Sequence, residues 1–339
     1  MDLYNIWFLL LGVLLSGYAI LDGFDLGVGI LHLLAPTDHD RRLFLNAIGP
    51  IWDGNEVWLV VFGGALFAAF PEAYATVFSG FYLALMALIF ALIFRAVSIE
   101  FRSKMQSRAW RQTWDVSFSA ASLLASLLLG IAVGDAMLGI PLDARGVFTG
   151  RFVDLLHPYA LMSGAVVVTM FAMHGSIYLY LKLPDGDTRE LVRSWMWHTW
   201  GTFLALYVLG TIYTVARMPR ALVNFERFPW APVVVIVSVF AIANIPRAVL
   251  HGKPVQAFVS SSIAIVTLVT LFGLALYPNL VTASNNPTYS LTVYNAASSP
   301  YTLRNMLIFA MVGMPFVLVY FALVYRAFRG RVQLGDHSY

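Results

Sequence analysis

Asp22 and Asp25 stand three residues apart inside an apolar stretch, Leu21-Asp22-Gly23-Phe24-Asp25-Leu26-Gly27-Val28-Gly29. On a helix that spacing puts both carboxylates on one face. An acid inside a bilayer costs roughly 2.5–3.5 kcal/mol on insertion scales, so it faces a cavity or a partner. Two carboxylates sharing a low-dielectric face do not both ionise easily. The chemistry this suits is proton or cation handling. The alternative is a pair bonded to backbone or to an arginine of a neighbouring subunit. Gly23 and Gly27 form a small-xxx-small pair through which another helix can approach closely.

A second constellation follows in Pro50-Ile51-Trp52-Asp53-Gly54-Asn55-Glu56-Val57-Trp58. Asp53 and Glu56 again share a face. Helix capping would account for both acids, with Asp53 as N-cap and Glu56 as the reciprocal acid three residues on. It would not account for Asn55 and for Trp52 and Trp58 gathered around them, so a functional role stands beside the capping one. Arg95, Arg102 and Lys104 read as orientation charge at a span end, with Glu100 as a pairing acid. Asp115 reads as a cap or a member of the same acid cluster. Membrane haem needs axial ligands, commonly histidine, inside the bundle. Only His174 lies well inside a span, and a structural role suits it better. No zinc-protease motif, phosphate loop or serine elbow occurs. The chain holds no complete catalytic constellation.

These groups must be positioned by membrane helices. Of 339 residues, 60% are hydrophobic and 12% charged, against about 45–50% and about 25% in a soluble domain. So few charges cannot make a polar shell, and so much apolar content excludes disorder. The absence of cysteine excludes disulfides and thiolate chemistry. The net charge of +3 comes without a basic stretch suited to nucleic acid. The first residues carry no basic region or cleavage site, and read as the start of a retained span.

Nine spans of about 20 residues are predicted, over 6–34, 52–70, 73–94, 116–138, 158–181, 197–216, 231–246, 255–277 and 303–328. The second is weakened by its polar start and by Gly63 and Gly64, and dropping it gives eight. Residues 1–138 are expected to form a first helix bundle, 158–277 a second, and 303–328 a peripheral C-terminal helix. Fifteen of the 21 basic residues fall on one set of loops and six on the other. The positive-inside rule then puts the N-terminus outside and the C-terminus in the cytoplasm. Asp22 and Asp25 lie about 24–29 Å in from Ile6, in the cytoplasmic half. The loop 278–302, rich in Asn, Ser, Thr and Tyr, reads as an ordered polar cap.

The two acidic constellations, in this order and about 25 residues apart, resemble subunit II of cytochrome bd ubiquinol oxidase. Gly63-Gly64-Ala65-Leu66-Phe67-Ala68-Ala69-Phe70-Pro71, Phe78-Ser79-Gly80-Phe81-Tyr82, Phe94-Arg95 and Phe101-Arg102-Ser103-Lys104 fit that family too. The match covers about residues 17–115; beyond it only length, span count and polarity agree. The resemblance implies an all-α protein of two four-helix bundles plus a peripheral helix in a bacterial or archaeal cytoplasmic membrane. It implies a non-haem subunit of a quinol:O2 oxidase, which stabilises the haem-bearing subunit I and offers protons a cytoplasmic uptake route. No cofactor is then expected on this chain. Two b-type haems and haem d belong to the partner, with room left for a structural quinone and small single-span accessory subunits. The residue matching the family's proton-route acid is Asp53, with Glu56, Asp22 and Asp25 as weaker carry-overs. The competing class is a secondary transporter or ion channel using Asp22 and Asp25, although the second half has no matching broken acidic span.

Overall fold

Long apolar runs must satisfy their backbone internally in lipid, and a helix does so within one segment. The computed structural model describes residues 2–335. The helices in chain order are α1 Leu3–Leu31, α2 Asp38–Ile48, α3 Trp52–Ala69, α4 Pro71–Gly80, α5 Tyr82–Phe101, α6 Arg108–Leu138, α7 Pro158–Lys182, α8 Asp187–Arg217, α9 Arg220–Arg227, α10 Ala231–Leu250, α11 Pro254–Leu276 and α12 Pro300–Ala327.

Eight of them are long and apolar enough to cross a membrane, and α3 is not among these. Its contacts nonetheless lay it along α1. Asn55 near its start bonds Asp25, Trp58 packs with Leu14 and Tyr18, and Leu66 and Phe70 cluster with Trp7 and Leu11. It therefore runs antiparallel to α1 over about 27 Å. Among the described residues α3 thus lies alongside the eight apolar helices without sharing their length and hydropathy.

The third predicted span is displaced. Pro71 cannot continue α3, and residues 71–80 form the separate short α4, which Thr76 ties to the Gly146 carbonyl at 2.7 Å. The crossing helix is α5, running to Phe101. Arg95 consequently lies inside a span and is 1% exposed. The expectation that it is loop charge is corrected; the excess of basic residues on that side remains. α8 likewise starts ten residues before the expected Trp197.

α1 packs on α3, α6 and α7, α5 on α6, and α7 on α6, α8 and α11, with α10 on α11, so that α6 and α7 form the most extensive helix pair. α12 lies in a groove beside α1 and α3, with Met314 and Phe321 against Leu14, Tyr18 and Trp58. Residues 139–157 and 278–299 interlock into the expected polar cap. The Ile140 amide donates to the Thr282 carbonyl at 2.9 Å, and Asn285 bonds both backbone groups of Leu142. Gly139 turns the chain into this cap at φ +82°, where a Cβ would also come 2.9 Å from the Thr282 oxygen.

At the opposite end, Asp40 of α2 caps its helix with Thr37 and accepts from Thr188 of α8. Burial pushes its carboxyl up, and the bonds from Thr188 and Thr37 outweigh that, holding it below the usual carboxylate value. This tie is present at neutral pH and weakens only as pH falls through the lowered folded-state value.

The closest helix contact is α1 on α7. A Cβ on Gly27 would lie 1.9 Å from the Phe171 carbonyl oxygen and 2.9 Å from the Gly175 Cα, whereas one on Gly12 meets nothing within 4 Å. Gly27→Ala should therefore destabilise the folded chain by about 1–3 kcal/mol, as overpacking does. Gly12→Ala should leave it unchanged. Thermal unfolding of the purified protein compares the two.

Candidate functional site

α1 buries Asp22 and Asp25 toward the groove it shares with α3 and α5. Small residues allow the approach: Gly17 seats the Trp58 ring, and Gly23 and Gly27 admit α7 through Phe171 and Gly175. The displaced α5 then carries Arg95 into the groove. Its Nη1 lies 2.6 Å from Asp22 Oδ1, a charge contact rather than an aligned hydrogen bond, and its Nη2 donates to Glu56 Oε2 at 3.0 Å. Asn55 donates through Nδ2 to Asp25 Oδ2 at 2.7 Å. Its Oδ1 accepts from the Tyr325 hydroxyl of α12 at 2.8 Å. One guanidinium thus touches two carboxyl groups, and Asn55 ties the third, Asp25, to α12.

Asp22 and Asp25 are 0% and 1% exposed, and the Glu56 side chain 22%. Both oxygens of Asp22, Oδ1 of Asp25, the Tyr18 hydroxyl and Arg95 Nε have no hydrogen-bond partner among the described residues. Buried polar atoms left this way are exceptional and mark functional or hydrated places. The alternative of a pair bound to backbone or to another subunit's arginine is replaced by an arginine of the same chain.

Asp53 stands apart. Its side chain is exposed in the first turn of α3, three residues from Glu56. The capping expectation is corrected: the N-cap is Ile51 and no side chain caps this helix. Trp52 and Trp58 are buried beside the polar group, and Gly54 faces Phe321 with ordinary space for a Cβ. Next to the network, Tyr325 and Tyr178 line a cavity of about 590 Å3 shared with Asn46, Lys182 and the segment after α12.

A second cluster was not foreseen. Asp115, in the second turn of α6, is neither a cap nor part of the Asp22 group. It takes Arg102 Nε at 2.5 Å, His32 Nε2 at 2.6 Å and Arg41 Nη1 at 3.0 Å. These contacts lock the ends of α1, α5 and α6 together. The signal in the sequence is the run of Arg102, Arg108 and Arg111 ahead of Asp115, whose reading as loop charge before a cap changes because α5 extends to Phe101 and α6 begins at Arg108.

The histidines test haem binding. His174 has Nδ1 on the Ser261 hydroxyl at 2.7 Å and Nε2 on the Ile20 carbonyl at 3.1 Å, and stacks on Phe258. Both ring nitrogens are committed, so it does not fit an axial ligand. Among the described residues no group of His, Cys, Asp and Glu could hold a metal ion.

The fold and this groove define a polytopic membrane protein built around a buried ionic group. The family model for cytochrome bd terminal oxidase subunit II matches residues 3–328. Cytochrome bd-I ubiquinol oxidase subunit 2 of Escherichia coli (strain K12) is 35% identical, covering 98% of this chain and 95% of that protein. Cytochrome bd ubiquinol oxidase subunit 2 of Bacillus subtilis (strain 168) is 32% identical over 98% and 97%. The bd oxidase structure from Geobacillus thermodenitrificans superposes with a TM-score of 0.79 at 18% identity, covering 97% of this chain and 99% of its own, and so shares the fold. The chain belongs to the cytochrome bd oxidase subunit II family. It is a multi-pass inner-membrane component of a haem-containing quinol oxidase complex, which implies a subunit I as partner. That membership sets aside the transporter or channel reading.

Removing Arg95 would strand Asp22 and Glu56. Arg95→Gln should destabilise the protein by about 3–5 kcal/mol, the cost of breaking a buried pair. Arg95→Lys should recover only part, since a single ammonium cannot span both carboxylates as the fork does. Thermal unfolding of the purified complex reads both.

Proposed function

We propose that this chain is the non-haem subunit of the oxidase, stabilising the haem-bearing subunit and supplying a cytoplasmic proton-uptake route for reduction of O2 to water. The observation that carries it is the single Arg95 paired with Asp22 and Glu56 beside Asp25, in the half of the molecule toward which basic residues are concentrated. Three carboxyls against one cation leave an excess negative charge that a mobile proton relieves.

The N-terminus lies outside and the C-terminus in the cytoplasm, following the loop charges. Asp53, exposed at the start of α3, takes up protons and passes them to Glu56 one turn further in. Glu56 hands them across Arg95 to Asp22. Tyr325 and Asn55 connect the cavity to Asp25 by hydrogen bonds, giving a second approach from the same side. Arg95 holds the carboxyls in register and lowers the cost of the ionised state. The haems of the partner subunit supply electron transfer and oxygen chemistry. Quinol oxidation releases protons outside while oxygen reduction consumes cytoplasmic protons, so charge separates without pumping. The outward faces of α3, α5 and α12 are apolar (Val60, Phe67, Phe90, Phe94, Phe309 and Phe316 are all exposed), which suits subunit I or lipid.

Asp53→Asn should slow quinol-driven oxygen uptake while haem content, read from the absorption spectrum, stays at the wild-type level. Tyr325→Phe, which removes only a hydroxyl, should slow it less. Wild-type turnover in Asp53→Asn with full haem content would overturn the assignment of Asp53.

A further inference from the structure

A cavity of about 410 Å3 opens where α1 ends and α6 begins, lined by none of the residues of the Arg95 group. Its charged walls are Arg41, Arg108, Arg111, Asp38 and Asp115. Arg102 lies behind the two acids, with Nη2 on Asp38 at 2.7 Å and Nε on Asp115 at 2.5 Å, and Arg111 Nη1 reaches Asp38 at 3.0 Å. Four arginines therefore meet two carboxylates, leaving two positive charges in excess. The neutral His32 or its cation on Asp115 does not reduce that excess. The exposed Arg108 side chain has no ion pair or hydrogen bond among the described residues, and Arg111 Nε is enclosed without a partner. Gln112 adds an amide to the wall.

Such a cup of guanidinium groups around a polar cavity suits the tetrahedral oxygens of a phosphate. A lipid headgroup carries such a phosphate. Trp110 and Trp114 stand edge to face at 5.5 Å on the adjoining turn, with Trp110 Nε1 donating to the Phe101 carbonyl, and indoles of this kind sit at the membrane–water boundary.

We propose that this cavity binds the phosphate of an anionic phospholipid and that the lipid thereby braces the junction of α1, α2, α5 and α6. The site is separate from the proton route and does not depend on it. A free phosphate has the same chemistry, so the test distinguishes the two sources.

The experiment uses the intact oxidase complex, delipidated in detergent and titrated with phosphatidylglycerol or phosphatidylcholine under native mass spectrometry. A parallel thermal-shift series uses inorganic phosphate. Wild type should retain phosphatidylglycerol in preference to phosphatidylcholine. Arg108→Gln should weaken that retention roughly fivefold, the scale of one arginine near a membrane surface. Arg41→Gln should do the same. Arg151→Gln, an exposed arginine at the other end of the molecule, should change nothing. Arg108 is exposed, so its variant tests the site even where Arg41→Gln lowers assembly. Stabilisation by inorganic phosphate that Arg108→Gln abolishes would support the phosphate site with a soluble ion as its occupant. Equal retention of phosphatidylglycerol by wild type and Arg108→Gln, together with no phosphate stabilisation, would overturn the proposal.

Discussion

A guanidinium taken out of water must find anions, and Arg95, at 1% exposure, finds more than it can neutralise. Much of the fold can be seen as a consequence. α1 bears Asp22 and Asp25, α3 bears Glu56 and Asn55, α5 bears the arginine itself, and α12 closes the group with Tyr325. The small residues Gly17, Gly23 and Gly27 bring the surrounding rings and α7 close enough to exclude bulk water. In a low dielectric the attraction is large, and so is the cost of any carboxyl left over. A site with surplus negative charge in a water-poor groove is suited to accept protons, whereas a fully paired one would be only a brace.

The second ionic group shows that contrast. Asp115 is bound by Arg102, His32 and Arg41, so cations there outnumber the acid. It joins the ends of three crossing helices just below the surface, and its surplus is positive. The two buried clusters thus differ in balance, one with surplus carboxyls around Arg95 and one with surplus cations around Asp115. The shift of α5 makes both possible, since it places Arg95 inside the helix and Arg102 at its C-cap, both buried.

The family motifs, the shared face of Asp22 and Asp25, the role of Gly23 and Gly27 in close packing and the polar cap of residues 278–299 were legible because each depends on local spacing. Arg95 as the partner of Asp22 was not. Its pairing depends on where α5 starts, and residues 73–80 are apolar enough to look like span although Pro71 and the break at Phe81 make them a separate helix at the surface. A continuous apolar run from Tyr82 to Phe101, about 20 residues with Arg95 two-thirds along, was the clue available. Capping of α3 by Asp53 failed for a related reason: the helix begins at Trp52, which puts Asp53 inside the first turn with its side chain outward. The contacts of Asp115 with His32 and Arg41 join residues 74 or more apart and leave no mark in local sequence.

The claim that the Arg95 group carries protons is tested most directly by following proton uptake, with a pH-indicating dye, as the fully reduced oxidase complex reacts with O2 in detergent. Asp22→Asn and Asp25→Asn removes one ionisable group each from the network while keeping its shape. The account predicts that uptake slows in step with oxygen reduction in these variants, with haem content and the first binding of O2 unchanged. Uptake at the wild-type rate in both variants, with full haem content, would contradict it.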